Sequence, residues 1–160
     1  MAHLVALFLL HGYLTQPFLW SFRTDVPSPH LPRCFPMAKT TTTYWNPLQA
    51  AHADQWDVIE GTNGLVEQLF LAVDETSGDF TRLTRFKAGA DTSAFGPQVH
   101  DYPEEIFIVS GDLYDQAFDR WLTAGDYASR PPGEVHGPFV AKTDCLVLDC
   151  SYPSHAQEPS

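Results

Sequence analysis

Apolar residues in this chain fall into short runs, separated by turn residues at roughly ten-residue spacing. Leu65 to Val73 and Phe80 to Lys87 flank Asp74-Glu-Thr-Ser-Gly-Asp79, a pattern that predicts a hairpin. Ahead of it, Asp57 to Glu60 reads as a short strand closed by Gly61-Thr-Asn-Gly64, and Asn46 to Asp54 as a short helix. Gly89 to Pro97 is a loop, and Gln98 to His100 opens a new strand. Ile106 to Val109 is a strand of branched and aromatic residues, turned by Ser110-Gly-Asp112 into Leu113 to Asp115. Arg120 to Leu122, a turn at Ala124-Gly-Asp126, and Tyr127 to Arg130 follow. Pro131-Pro-Gly133 is a rigid loop, and Cys145 to Cys150 is the last strong strand. About eight to ten short strands with no long helical period predict an all-β antiparallel sandwich or barrel. The chain shows no internal repeat, so a single barrel unit is expected.

The composition supports a packed body. Of 160 residues, 44% are hydrophobic and 13% aromatic, enough for a core. Nine basic against 20 acidic residues give a formal charge of -11, which repels phosphate backbones and anionic lipid. Nucleic acid and membranes are therefore not expected partners. Residues 1–40 read as an irregular N-terminal extension, 41–153 as one domain, and 154–160 as a frayed tail. The apolar run Leu4 to Leu10 is far short of a membrane span, and no Lys or Arg precedes Arg23 as a secretion signal would want. A cytoplasmic location is expected. Met37 begins a more ordinary soluble sequence, and a natural start there is one reading of the proline-broken stretch before it. Three cysteines, with no CxxC pair, are neither a disulfide framework nor a thiolate zinc site. Cys145 and Cys150 are five apart on one strand, so they point to opposite faces.

The candidate chemistry is concentrated in Gln98-Val-His100-Asp-Tyr-Pro-Glu104. On a strand Gln98 and His100 share a face and aim together into the barrel. Glu104 opens the next strand on the face of Ile106 and Ile108, so Glu104, and not Glu105, is the inward carboxylate. A carboxylate among isoleucines needs a partner, and a metal ion is one. His136, after Pro131-Pro-Gly133, is the fourth candidate ligand. Arg82, Arg85 and Arg130 are candidates to hold a substrate carboxylate or phenolate, with surface ion pairing as the competing reading. Tyr114, Trp121 and Tyr127 either line an aromatic pocket or pack in the core.

The spacing resembles the cupin family. Gln98-x-His100, three residues, Glu104, six residues and Gly111 match the first cupin motif, with Gln98 in place of its first histidine. Gly125, five residues, Pro131-Pro132-Gly133, two residues and His136 match the second, with Val140 where asparagine is usual. The resemblance implies a double-stranded β-helix, or jelly-roll barrel, holding one divalent transition metal on Gln98, His100, Glu104 and His136. Fe(II) is favoured, with Zn(II), Mn(II) and Ni(II) open. It implies a metal-dependent oxidoreductase of the dioxygenase or oxidase kind, acting on a small organic, aromatic or polyketide-derived substrate. Glu104 would shuttle a proton if released from the metal, and Arg82, Arg130 and Tyr114 would contact substrate. A redox-neutral isomerase, decarboxylase or cyclase is the alternative within the fold, and a non-catalytic metal-binding sensor module the alternative outside enzymes. A homodimer is expected by analogy with the family.

Overall fold

The chain divides into two units, Met1–Cys34 and Phe35–Ser160. The computed structural model describes residue 39 and residues 44–152, all within the second unit. The expectations for the remainder of the N-terminal extension, for a start at Met37 and for the 154–160 tail lie outside the described residues.

Nine strands form the body: β1 (Asp57–Val58), β2 (Val66–Val73), β3 (Phe80–Phe86), β4 (Glu104–Ser110), β5 (Asp112–Asp115), β6 (Arg120–Thr123), β7 (Tyr127–Arg130), β8 (Phe139–Val140) and β9 (Cys145–Ser151). They make a six-stranded sheet in the order β1-β2-β3-β9-β4-β7 and a three-stranded sheet in the order β6-β5-β8. Every pairing is antiparallel. Two single bridges, Asp91 to Val140 and Gln98 to His136, extend the smaller sheet's side. The helix expected over Asn46 to Asp54 is instead a 3₁₀ segment, Ala50–Gln55, and a second 3₁₀ turn spans Ser93–Phe95. Neither segment buries a residue, which explains why no longer helix formed: there is no apolar face to dock. Among the described residues no helix is long and apolar enough to cross a membrane.

Alternation along the strands sorts the residues. On β9 the odd positions Cys145, Val147, Asp149 and Ser151 are buried and the even ones are half-buried. Cys145 therefore faces inward and Cys150 outward, and both are free thiols, as the five-residue spacing predicted. Register places the inward residues in rows across the large sheet. Val66, Phe86 and Cys145 form one row, and Gln68, Thr84, Val147 and Ile108 the next. Arg82, Asp149, Ile106 and Ala128 form a third, with the exposed Phe70 at its β2 end, and Ser151, Glu104 and Arg130 form the last. The apolar rows join Leu113 and Ala141 of the facing sheet in one core, with charges confined to the last two rows. Phe107, Val109 and Tyr127 occupy the outer face and are exposed.

Gly111 shows why the motif requires a glycine. It turns β4 into β5 at φ 79°, and a Cβ there would meet the backbone oxygen of Asp144 at 2.0 Å and Cys145 Cα at 2.7 Å. Backbone cannot rotate away as a side chain can, so both conformation and space demand glycine. Gly125 has φ 94° but open space around it. We expect Gly111→Ala to destabilise the fold by about 3–5 kcal/mol, and Gly125→Ala by only about 1–2 kcal/mol. Denaturant titration of the two variants checks the difference.

Candidate metal centre

The last charged row carries the site. Glu104 is the first residue of β4 and pairs in register with Arg130, the last of β7. The chain before β4 turns at Pro103, bringing His100 back over Glu104, and the loop between β7 and β8 brings in His136. One ligand atom from each of His100, Glu104 and His136 lies within 4.8 Å of the others. His100 Nε2 is 3.5 Å from Glu104 Oε2. The imidazole planes of His100 and His136 lie 5.0 Å apart, centroid to centroid.

Each histidine is oriented by its own backbone. His100 Nδ1 contacts Tyr102 O at 2.7 Å, and His136 Nδ1 contacts Glu134 O at 3.2 Å. A carbonyl only accepts, so both Nδ1 atoms donate, and a neutral ring with this tautomer presents its Nε2 lone pair. Burial, and next the Arg130 charge, lower the pKa of His136 from its ordinary value, which favours the neutral ring. The Tyr102 ring stacks on His100 at 4.1 Å with 3° between planes.

Arg130 holds the carboxylate. Its Nη1 donates to Glu104 Oε2 at 2.9 Å and its Nη2 to Asp115 Oδ2 at 3.5 Å. All three residues are at most 4% exposed. Asp115, on the facing sheet, also accepts from Gly137 N at 2.9 Å and Ala117 N at 3.0 Å.

The residues fit a divalent cation on two observations. His100 Nε2 is buried and makes no hydrogen bond, although a carboxylate oxygen faces it. That oxygen, Glu104 Oε2, already accepts from Arg130, so the unmet group is the His100 Nε2 lone pair, which a cation would satisfy. One arginine between two buried carboxylates also leaves a net formal charge of -1, which a cation compensates. The donor set, two imidazoles and a carboxylate, suits Fe(II), Zn(II), Mn(II) or Ni(II) equally well by type.

A cavity of about 450 Å³ opens onto the cluster. Its walls are the inner rows of the large sheet, with Phe95 and Val99 at the loop side. Of the residues singled out from the sequence, His100, Glu104 and His136 come together, and Arg130 and Arg82 reach the same cavity. Gln98 also lines it, but the residue is exposed and its amide nitrogen donates to Phe95 O and Gly96 O at 3.3 and 3.1 Å. Only its carbonyl oxygen is left for a ligand. The expected strand at Gln98 to His100 is a single bridge, so the shared-face argument for that pair does not apply. Tyr114 is outside the cavity. It follows inward Leu113 and precedes inward Asp115, so it points outward, where it packs on Trp121 and hydrogen-bonds Asp119. Arg85 also points outward, over Trp56 and paired with Glu67.

Three residues of the site carried no sequence signal of their own. Tyr102 is an unspecified position inside the first motif, while Asp115 and Asp149 fall in predicted strands with nothing to single them out. The feature that exposes Asp115 and Asp149 is strand parity, since each shares the face of an apolar neighbour two residues away. Asp149 accepts from Arg82 Nε at 2.9 Å and Thr84 Oγ1 at 3.1 Å. Burial pushes its carboxyl up to about 6, with Arg82 offsetting only part.

The class these features define is a small β-barrel with a histidine–carboxylate cluster compatible with a divalent metal. The chain belongs to the ChrR cupin-like domain family, whose profile matches residues 45–154. Solved structures agree on the fold. An RmlC-like cupin from Shewanella frigidimarina superposes with a TM-score of 0.56 at 19% identity, covering 75% of this chain and 97% of its own. An acetylacetone dioxygenase from Acinetobacter johnsonii gives 0.55 at 15%, covering 76% and 80%. KdgF from Halomonas sp. gives 0.53 at 21%, covering 73% and 97%. No curated protein matches the chain.

The raised Asp149 pKa has a consequence for stability. The folded chain binds this proton more readily than the unfolded one, whose value is near 3.8. Its stabilising contribution is therefore complete below about pH 4 and is lost as pH rises through about 6. The stability of the wild type relative to Asp149→Asn should fall by up to roughly 3 kcal/mol between pH 4 and pH 7. Paired denaturant titrations across that range check both sign and size.

Proposed function

We propose that this protein is a mononuclear metal enzyme of the oxidase or dioxygenase kind, acting on a small organic molecule that enters the cavity. The observation that carries the reading is the donor set: two histidines and one carboxylate, facing open cavity space on one side. That set with open positions is the arrangement of non-haem Fe(II) oxygenases, which makes Fe(II) the favoured ion. A bound divalent ion would act as a Lewis acid on a substrate oxygen and, as Fe(II), supply the redox chemistry for O₂. The protein's part is positional. His100, Glu104 and His136 hold the ion, and the backbone carbonyls of Tyr102 and Glu134 keep both imidazoles in the ligating tautomer. Arg130 fixes one oxygen of Glu104 and leaves the other for the ion or for a proton of the substrate. Ile106, Val147 and Phe139 exclude water from the cavity wall. A fold-level likeness to an acetylacetone dioxygenase agrees with this reading without deciding the substrate.

The second reading is a redox-neutral enzyme using Zn(II) at the same ligands, which the donor types equally permit. Elemental analysis of the purified protein, joined to oxygen-electrode assays with small β-diketones and phenols, decides between them. Iron with substrate-dependent O₂ uptake is expected. Zinc without uptake would move the protein to the second reading. Metal content also tests the ligands. His100→Ala and His136→Ala should each lose most of the bound metal, a 10–100-fold or larger drop in affinity. Gln98→Ala should keep it within about threefold, because its amide already serves the 95–96 loop. Full occupancy in either histidine variant would remove that residue from the site.

A further inference from the structure

The row next to the metal cluster holds hydrogen-bond donors that the protein leaves unused. Arg82 projects from β3 into the cavity, and two of its three nitrogens are engaged. Nε donates to Asp149 Oδ1 at 2.9 Å and Nη1 to Gln68 Oε1 at 3.1 Å. Its Nη2 has no partner among the described residues. The guanidinium lies over the Phe80 ring, 4.5 Å from the centroid. Tyr102 meets the same Phe80 ring edge-on at 6.0 Å, while its other contact is the stack on His100. Phe80 thus supports both side chains, and Tyr102 links Arg82's pole to the metal cluster. The Tyr102 hydroxyl has no hydrogen-bond partner among the described residues. Tyr102 lines the same cavity as Arg82, and a phenol hydroxyl can donate.

The nearby acceptors are already taken. Both oxygens of Asp149 are engaged, by Arg82 and Thr84, and Gln68 Oε1 is engaged by Arg82. These contacts fix the plane of the guanidinium without capping its outer edge. What remains is a pair of donors, one permanently charged, beside a cavity large enough for a small organic ligand.

We propose that Arg82 and Tyr102 form an oxyanion-binding pole, which takes a carboxylate or enolate oxygen at one end of a small ligand while the His100–Glu104–His136 cluster takes an oxygen at the other. The second half of this statement rests on the metal reading above; the first half does not. The ligand class is a small compound with oxygen functions at both ends and an apolar middle, since Ile106, Val147 and Phe139 line the cavity that the two poles share. Strand register sets the scale: Asp149, which anchors Arg82, pairs with Ile106, two residues along β4 from Glu104. That is about 7 Å along the strand, to which the offset of Arg82 on β3, two strands across from β4, adds.

The test uses the full chain, metal-loaded and metal-free, titrated calorimetrically with malonate and with uncharged malonamide. Malonate is expected to bind both forms, and malonamide at least about tenfold more weakly. Arg82→Gln should weaken malonate by about tenfold, Tyr102→Phe by about threefold, and Arg82→Lys should recover part of the loss. The metal content of all three variants should stay at the wild-type level. Equal binding of malonate and malonamide, no malonate binding by the wild type, or wild-type affinity in both Arg82→Gln and Tyr102→Phe would overturn the pole. Tyr102→Phe removes one oxygen only, so it remains informative if Arg82→Gln fails to fold. A wild type that takes up no metal yet binds malonate through Arg82 would defeat the metal reading and support the pole. Normal metal uptake with Arg82-independent malonate binding would do the reverse.

Discussion

The buried contact of Arg130 with Glu104 and Asp115 is the constraint on which the site depends. Glu104 and Arg130 are register partners on the large sheet, and Asp115 comes from the small one. The guanidinium therefore clamps the two layers together at the point where the histidines converge. Asp115 passes the constraint on, accepting from Gly137 N directly after His136. A planar fork suits this position, because a point charge such as lysine cannot address two carboxylates in fixed directions. Removing one partner would strand a buried charge, a loss of about 3–5 kcal/mol in comparable pairs.

The interior is graded along the strands. Mostly apolar rows close the bottom of the barrel, and charge enters only in the last two rows, where Arg82–Asp149 and Glu104–Arg130 lie side by side. Opposite charges alternate across that surface, so no row carries a large field of one sign. The acidic exterior implied by the composition is thus separate from a nearly balanced interior. The chain's net charge shapes encounters in solution rather than the chemistry of the cavity.

Much of this was legible in the sequence, and the failures have physical causes. Parity identified Glu104 over Glu105, and it separated Cys145 from Cys150, because both arguments need only a regular strand. The same argument did not carry to Gln98, where one bridge replaces a strand and the amide is free to turn toward loop carbonyls. Motif spacing brought His100, Glu104 and His136 together across 36 residues, since it encodes two turns whose geometry is fixed by Gly111 and by the Pro131–Gly133 loop. Tyr114 was misplaced for want of a parity test against Leu113 and Asp115. Tyr102 was invisible because its role is set by a ring stack, and no spacing rule records stacking. Asp115 and Asp149 were hidden by composition, as two acids among twenty.

The way the two histidines are oriented has an evolutionary corollary. Each ring is locked by a carbonyl only two residues away, Tyr102 O for His100 and Glu134 O for His136. Main-chain carbonyls are present whatever side chain the residue carries. The orientation of the two rings is therefore written into two short backbone segments and asks nothing of wall residues such as Thr84, Val99 or Phe95. Substitutions at Arg82, Thr84, Val99 or Phe95 can reshape what the barrel accepts while the ion-holding corner stays as it is. A scaffold organised in this way lets recognition drift independently of reactivity, and one architecture can then be reused for many ligands.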